Sequence, residues 1–173
     1  DPGILFIQPP LLYDLGSSFD AAVRPVHIRN IGPLAAEPLD GFWKGVYETV
    51  GAPAVQTVVE SFVDGQRLGA YFNSHAFAVS PSQGLLRQWL ECFELLVGDQ
   101  AFQSACCQDE RHQIFLHQAV LSALIAARLA PRRVRILPPT YNYPYNLHAS
   151  VPPAGRALAL NDLVCVVYED RAL

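Results

Sequence analysis

Two hydrophobic periods alternate along this chain, and the alternation limits it to a mixed fold. Apolar side chains that recur every three or four residues predict helices at 38–50, 54–62, 80–96 and 112–129. Short apolar runs between them predict strands at 4–7, 20–26, 71–79, 134–137 and 163–168. Apolar residues surround the helix at 112–129 rather than forming a stripe, which predicts burial on most of its sides. The pattern therefore predicts an α/β class with mixed layers.

The composition indicates one globular domain and excludes several classes of partner. The chain has 173 residues, 51% of them hydrophobic and 16% charged, which is enough apolar material for a sizeable core. Its net charge is −4 and Lys44 is its sole lysine, so we expect no nucleic acid partner. No apolar run approaches the roughly 20 residues of a transmembrane segment. The four cysteines have neither disulfide-framework nor zinc spacing, which favours a reducing, cytoplasmic location.

The start of the sequence predicts that other parts of the protein lie outside it. The chain contains no methionine, and Asp1 leads into the apolar run at 4–7. That run is typical of a strand buried on both faces of a parallel sheet. The missing initiator indicates either processing or a start within a longer protein, and an internal strand favours the second. An uncovered strand exposes pairing groups, so we expect a homodimer or a missing N-terminal half.

Three short segments, in order, resemble one enzyme family. They are YFNS at 71–74, HQ at 117–118 opening an apolar helix, and LPPTYN at 137–142. The order is similar to the second half of glycosyltransferases with the GT-A fold, where a strand reads Y-F-N-S/A-G, a helix opens D-Q and a loop reads L-P-x-x-Y-N. The resemblance implies a partial Rossmann-like nucleotide-diphospho-sugar transferase fold. Residues 1–173 would then form one domain, the acceptor-side half of a larger glycosyltransferase domain.

The resemblance also implies roles for particular residues. Side chains on all three segments would bind the donor sugar: Asn73 on the first, Gln118 on the second, and Tyr141 and Asn142 on the third. His75 or His117 would be the catalytic base, and these two residues stand where the family has Gly and Asp. A divalent cation, Mn²⁺ or Mg²⁺, would contact Asp1 at the end of a D-x-D motif. Gly3 replaces the second carboxylate of that motif.

Arguments from the residues alone leave a structural alternative at each position. Asn73 in an apolar strand needs hydrogen-bond partners, which either a sugar or the neighbouring backbone supplies, and His75 projects to the same face. His117 lies on an apolar helix face, where a histidine is as often a core residue with satisfied hydrogen bonds as a functional one. The loop at 141–148 suits stacking on sugar faces or packing on its own rings. If Asp1 does not contact a metal ion, it is a solvated chain end.

We expect a transferase that moves a sugar from a nucleotide-sugar donor to an unidentified acceptor. The alternative is a catalytically inactive interaction domain on the same scaffold. Two other constellations are weaker. Ser74 and His75 lack the glycines of a hydrolase nucleophile elbow. The group of Cys106, Cys107 and His112 offers only three poorly spaced zinc ligands.

Overall fold

The computed structural model describes residues 3–53 and 57–168, and within these ranges the fold is mixed α/β with small mixed sheets. The helices are α1 Gly41–Val50, α2 Leu85–Gly98, α3 Gln100–Cys106 and α4 Glu110–Arg128. The strands are β1 Ile4–Phe6, β2 Ala21–Val23, β3 Val58–Glu60, β4 Arg67–Gly69, β5 Ala78–Val79, β6 Val134–Ile136, β7 Tyr143–Pro144 and β8 Cys165–Val167. None of the described helices is long and apolar enough to cross a membrane.

The helix predicted at 38–50 forms, with its start at a capping residue. The Asp40 side chain accepts the backbone N–H of Trp43 at 2.9 Å, which satisfies one of the donors left open at a helix start. The helix ends at Gly51, whose φ of 69° is the left-handed conformation that glycine adopts without strain. The Trp43 ring is fully buried, and its indole N–H donates to the carbonyl of Ile31 at 2.7 Å. This helix therefore buries the aromatic face that its sequence predicts.

The prediction of a helix buried on most sides is confirmed for α4. Asp109 caps its start by accepting the N–H of His112 at 3.0 Å, and every residue from Gln118 to Ile125 is buried. At its other end the Arg128 guanidinium donates to the carbonyl of Val50 at 2.6 Å, which ties α4 to the end of α1. The helix packs against both α1 and α2. It is the central helix of the domain.

Three secondary-structure predictions are wrong. Residues 58–60 of the predicted helix at 54–62 form β3, which pairs with β4, and residues 54–56 lie outside the described residues. The run of β-branched valines in this segment favours an extended chain. In the predicted strand at 71–79, only β5 forms a strand, and the chain turns at 73–77.

The third error concerns the first strand. β1 pairs antiparallel with β8 and is not buried on both faces, since Leu5 and Phe6 are 58% and 46% exposed. β1 therefore presents two apolar side chains to the surface. The homodimer or missing half that the sequence predicts stays a prediction.

Two sheets meet around the segment that follows β2. One has the order β5–β2–β6 and the other β1–β8–β7, and each contains one parallel and one antiparallel pair. Ala21 and Val23 face the main core beneath the helices, while Ala22 between them faces a second cluster with Tyr141 and Cys165. This alternation follows from the period of a strand. β2 therefore lies between the two hydrophobic clusters.

Candidate functional site

The three segments singled out in the sequence meet in one hydrogen-bonded network. The turn at 73–77, the first half of α4 and the loop that ends at Asn142 contribute to it. The backbone N–H of Asn73 donates to the carbonyl of Arg24 at 2.8 Å, so the turn is anchored to the chain after β2. Residues that are 43 to 66 positions apart in sequence are therefore neighbours here.

Asn73 and His75 are in contact, but not through the strand period that the sequence predicts. The side-chain Oδ1 of Asn73 accepts the backbone N–H of His75 at 2.8 Å, which forms an Asx turn. The same oxygen lies 2.5 Å from Nδ1 of His75, and because an amide oxygen only accepts, Nδ1 carries the proton. Both lone pairs of the Asn73 oxygen are therefore used to hold the turn and its imidazole.

Ser74 connects this turn to α4. Its backbone N–H and its hydroxyl lie 3.2 and 3.1 Å from Oε1 of Gln118, and the hydroxyl also lies 3.1 Å from Nε2 of His117. The single hydroxyl proton can go to only one of these two acceptors. Gln118 is itself buried, so its amide oxygen depends on Ser74 for its partners. The sequence did not identify Ser74 as a member of the site.

His117 is held in one tautomer. Its Nδ1 lies 2.8 Å from the carbonyl oxygen of Ile114, which can only accept, so Nδ1 is protonated and Nε2 carries the lone pair that faces Ser74. Burial lowers the pKa of His117, the carbonyl of Ile114 opposes that shift, and the nearby His75 adds to it. A neutral imidazole with its lone pair directed at a hydroxyl oxygen is the arrangement that a general base requires.

His27 joins the turn to the aromatic loop, and sequence analysis missed it. Its Nε2 lies 2.6 Å from the carbonyl of Asn142, which places a proton on that nitrogen. Nδ2 of Asn73 lies 3.2 Å from the same nitrogen, but both atoms are then donors and make no hydrogen bond with each other. The rings of His27 and His75 stack with their centroids 6.2 Å apart. A lone histidine between a strand and a loop gives no periodic signal, so only the tertiary contact identifies it.

Asn142 lies at the centre of the loop contacts and is fully buried. Its φ of 48° is left-handed, a conformation that asparagine tolerates better than most residues. Its Nδ2 donates to the carbonyl of Ala76 at 2.7 Å, its Oδ1 lies 3.3 Å from the Tyr13 hydroxyl, and its N–H donates to Sγ of Cys165 at 3.1 Å. In this conformation each polar atom of Asn142 has a protein partner, and its contact with a substrate stays a prediction.

Tyr141 is buried beside Asn142. Its hydroxyl accepts the N–H of Leu12 at 3.0 Å, and its ring packs edge-to-face on Tyr13 with centroids 5.3 Å apart. This ring orders the loop against the segment after β1. Stacking of Tyr141 on a sugar is likewise still a prediction.

The metal prediction falls on Asp1, which lies outside the described residues. Over residues 3–53 and 57–168 no group of three or more His, Cys, Asp or Glu side chains is placed to hold a metal ion. The Mn²⁺ or Mg²⁺ that the resemblance implies stays a prediction.

Comparison with protein-family models, with curated proteins and with solved structures finds no match to this chain.

Proposed function

We propose that this domain transfers a sugar from a nucleotide-diphosphate-sugar to a hydroxyl group of an acceptor, on a partial Rossmann-like GT-A scaffold. One observation carries the proposal. The three segments that resemble the family motifs, 71–74, 117–118 and 137–142, lie far apart in sequence and contribute to one polar network. Their convergence supports a shared site.

His117 fits the role of the base. Glycosyl transfer to a hydroxyl requires a group that removes its proton, and a neutral imidazole does this near pH 7. The fixed tautomer of His117 directs the Nε2 lone pair to an oxygen 3.1 Å away, at present the Ser74 hydroxyl. An acceptor hydroxyl that took this position would meet the lone pair in the same direction. His75 stands beside it as a second imidazole, held by Asn73.

The amides Asn73 and Gln118 contribute through their nitrogen atoms. The oxygen of each amide already has two protein contacts, from His75 in one case and from Ser74 in the other. Because an amide oxygen has two lone pairs, any sugar hydroxyl that these residues bind must accept from the NH₂ groups. The oxygens position the turn, and the nitrogens select the sugar.

A binding panel tests the proposal. Isothermal titration of the full-length protein with nucleotide-sugars, with and without Mn²⁺, should give saturable binding to at least one donor. If none of them binds, the proposal is wrong and an interaction domain on the same scaffold becomes the better explanation.

The base is tested by turnover with the donor that binds. His117→Gln should lower kcat by about 10²- to 10⁴-fold, the usual contribution of a general base. His148→Gln is the matched control, because His148 pairs with Tyr143 at 2.8 Å outside the network. Ser74→Ala should retain most of the activity. A loss equal to that of His117→Gln would instead identify Ser74 as a nucleophile and contradict the assignment.

A further inference from the structure

Arg24 is a buried cation whose charge is not matched. It directly follows β2 and is 6% exposed, and its guanidinium carbon lies 4.7 Å above the ring of Phe62. Its Nε and Nη2 atoms are buried and have no hydrogen-bond partner among residues 3–53 and 57–168. Buried arginines are ordinarily paired, since a charge removed from water needs compensation.

A second arginine of the same chain shows what this edge of a guanidinium binds. Nε and Nη2 of Arg133 donate to the two carboxylate oxygens of Asp20 at 2.9 and 2.7 Å. Two parallel N–H groups match the spacing of two oxygens in a carboxylate or a phosphate. The corresponding edge of Arg24 has the same donors, buried and without that partner.

No charged side chain in the described part of the chain stabilises the Arg24 cation. Burial alone lowers its pKa to about 10, with no carboxylate opposing the shift. The side chain is therefore still protonated at neutral pH. Phe62 covers one face of the guanidinium through a cation–π contact but offers nothing to the N–H groups along its edge.

Arg24 lies next to the candidate site. The N–H of Asn73 donates to the Arg24 carbonyl at 2.8 Å, and Pro25 forms an antiparallel bridge with Phe72, so Arg24 and Asn73 are opposite each other in the pair. Side chains at opposed positions of an antiparallel pair project from the same face of that pair, and their Cβ atoms lie about 5 Å apart. The turn at 74–77, which follows Asn73, is half-buried, and the Arg24 side chain is 6% exposed.

We propose that the Nε–Nη2 edge of Arg24 binds an oxyanion of the ligand that occupies the Asn73–His117 network. The inference rests on the proposed function for the identity of that ligand. The oxyanion belongs either to the diphosphate of the donor or to an acidic group of the acceptor. Both offer paired oxygens to the guanidinium.

Titration calorimetry with two simple anions tests the inference and separates the two sources. Inorganic pyrophosphate represents the donor diphosphate, and glucuronic acid represents an acidic sugar. We expect at least one of them to bind the full-length protein, and Arg24→Gln to weaken that binding by about 10- to 100-fold, the effect of losing charge-assisted hydrogen bonds. Arg87→Gln is the control, because Arg87 is exposed on α2 and should leave the affinity unchanged.

A stability measurement separates a ligand-binding arginine from a structural one. Arg24→Met keeps an apolar stem above Phe62 and removes the unmatched charge, so it should leave the urea midpoint unchanged or raise it. A lower midpoint, with anion binding retained, would show that Arg24 supports the fold and would overturn the inference. Failure of both anions to bind, or equal affinity in Arg24→Gln, would overturn it too.

The two proposals fail in different ways. A nucleotide-sugar and glucuronic acid that both bind Arg24→Gln as tightly as the native protein leave the transferase proposal in place and refute the role of Arg24. Pyrophosphate binding that depends on Arg24, without binding of any nucleotide-sugar, supports the anion site and refutes the transferase.

Discussion

Replacing Ser122 with alanine should destabilise the protein by about 1–3 kcal/mol, although the change removes a single hydroxyl group. Ser122 is fully buried in α4, and its Oγ accepts the N–H of Phe72 at 2.9 Å while it donates to the carbonyl of Gln118 at 2.7 Å. Phe72 forms a non-hydrogen-bonded pair with Pro25, so its N–H points away from that strand. Without the hydroxyl, this N–H is buried and unpaired.

Urea denaturation measures the change in the free energy of unfolding. Ser104→Ala is the matched control, because Ser104 is exposed on α3 and both substitutions gain the same helix propensity of about 0.5 kcal/mol. In a thermal scan the difference between the variants should be about 2–4 °C for each kcal/mol. Two variants that agree within about 0.5 kcal/mol would show that the Phe72 N–H finds another partner, and the reasoning would be refuted.

Three further changes test the packing and the charges. Burial lowers the pKa of His117, so the folded state resists its protonation and loses stability as the pH falls below about 6.5. His117→Gln should therefore reduce the dependence of the urea midpoint on pH in that range. An unchanged pH dependence would contradict the shift. Gly45→Ala should lower the melting temperature, because the new Cβ would lie 2.6 Å from the Phe102 ring and overpacking by about 1–3 kcal/mol exceeds the helix-propensity gain of about 1 kcal/mol; a higher melting temperature would show that the ring moves freely. The hydrogen bonds from Arg133 lower the pKa of Asp20, so its stabilising effect is present above the unfolded value of 3.8 and is lost as the pH falls through the lower folded value. Asp20→Asn should therefore be less stable than the native protein at neutral pH, and the difference should shrink in acid; a constant difference at all pH values would refute this.

The helices could be predicted from the sequence because their information is local. The period of apolar residues and the capping aspartates of α1 and α4 both lie within a few positions of the helix itself. The burial of α4 on most sides followed from the same pattern. The strands were harder, since each has only two or three residues and too few positions to establish a period. The segment at 58–60 was predicted as a helix because its pairing with β4 is a tertiary property.

The site was predictable only as a set of residues. The order of the three segments selected Asn73, His117, Gln118 and their neighbours, and these do lie together. His27 and Arg24 could not be found in this way. A buried arginine is distinguished by the partners it lacks, and that depends on which side chains the whole fold brings near it.

Asn73 and His75 show how a correct neighbourhood can follow from a wrong geometry. The strand period placed them on one face, as independent side chains that could each bind a ligand. In the Asx turn the amide of Asn73 instead holds the imidazole of His75 directly, at 2.5 Å. The two residues therefore act as one unit, in which Asn73 sets the tautomer and orientation of His75. His117 has the same arrangement, with the Ile114 carbonyl in place of an amide. The fixing of two imidazoles through Nδ1 is a property of the turn and of α4 that no spacing of residues in the sequence could indicate.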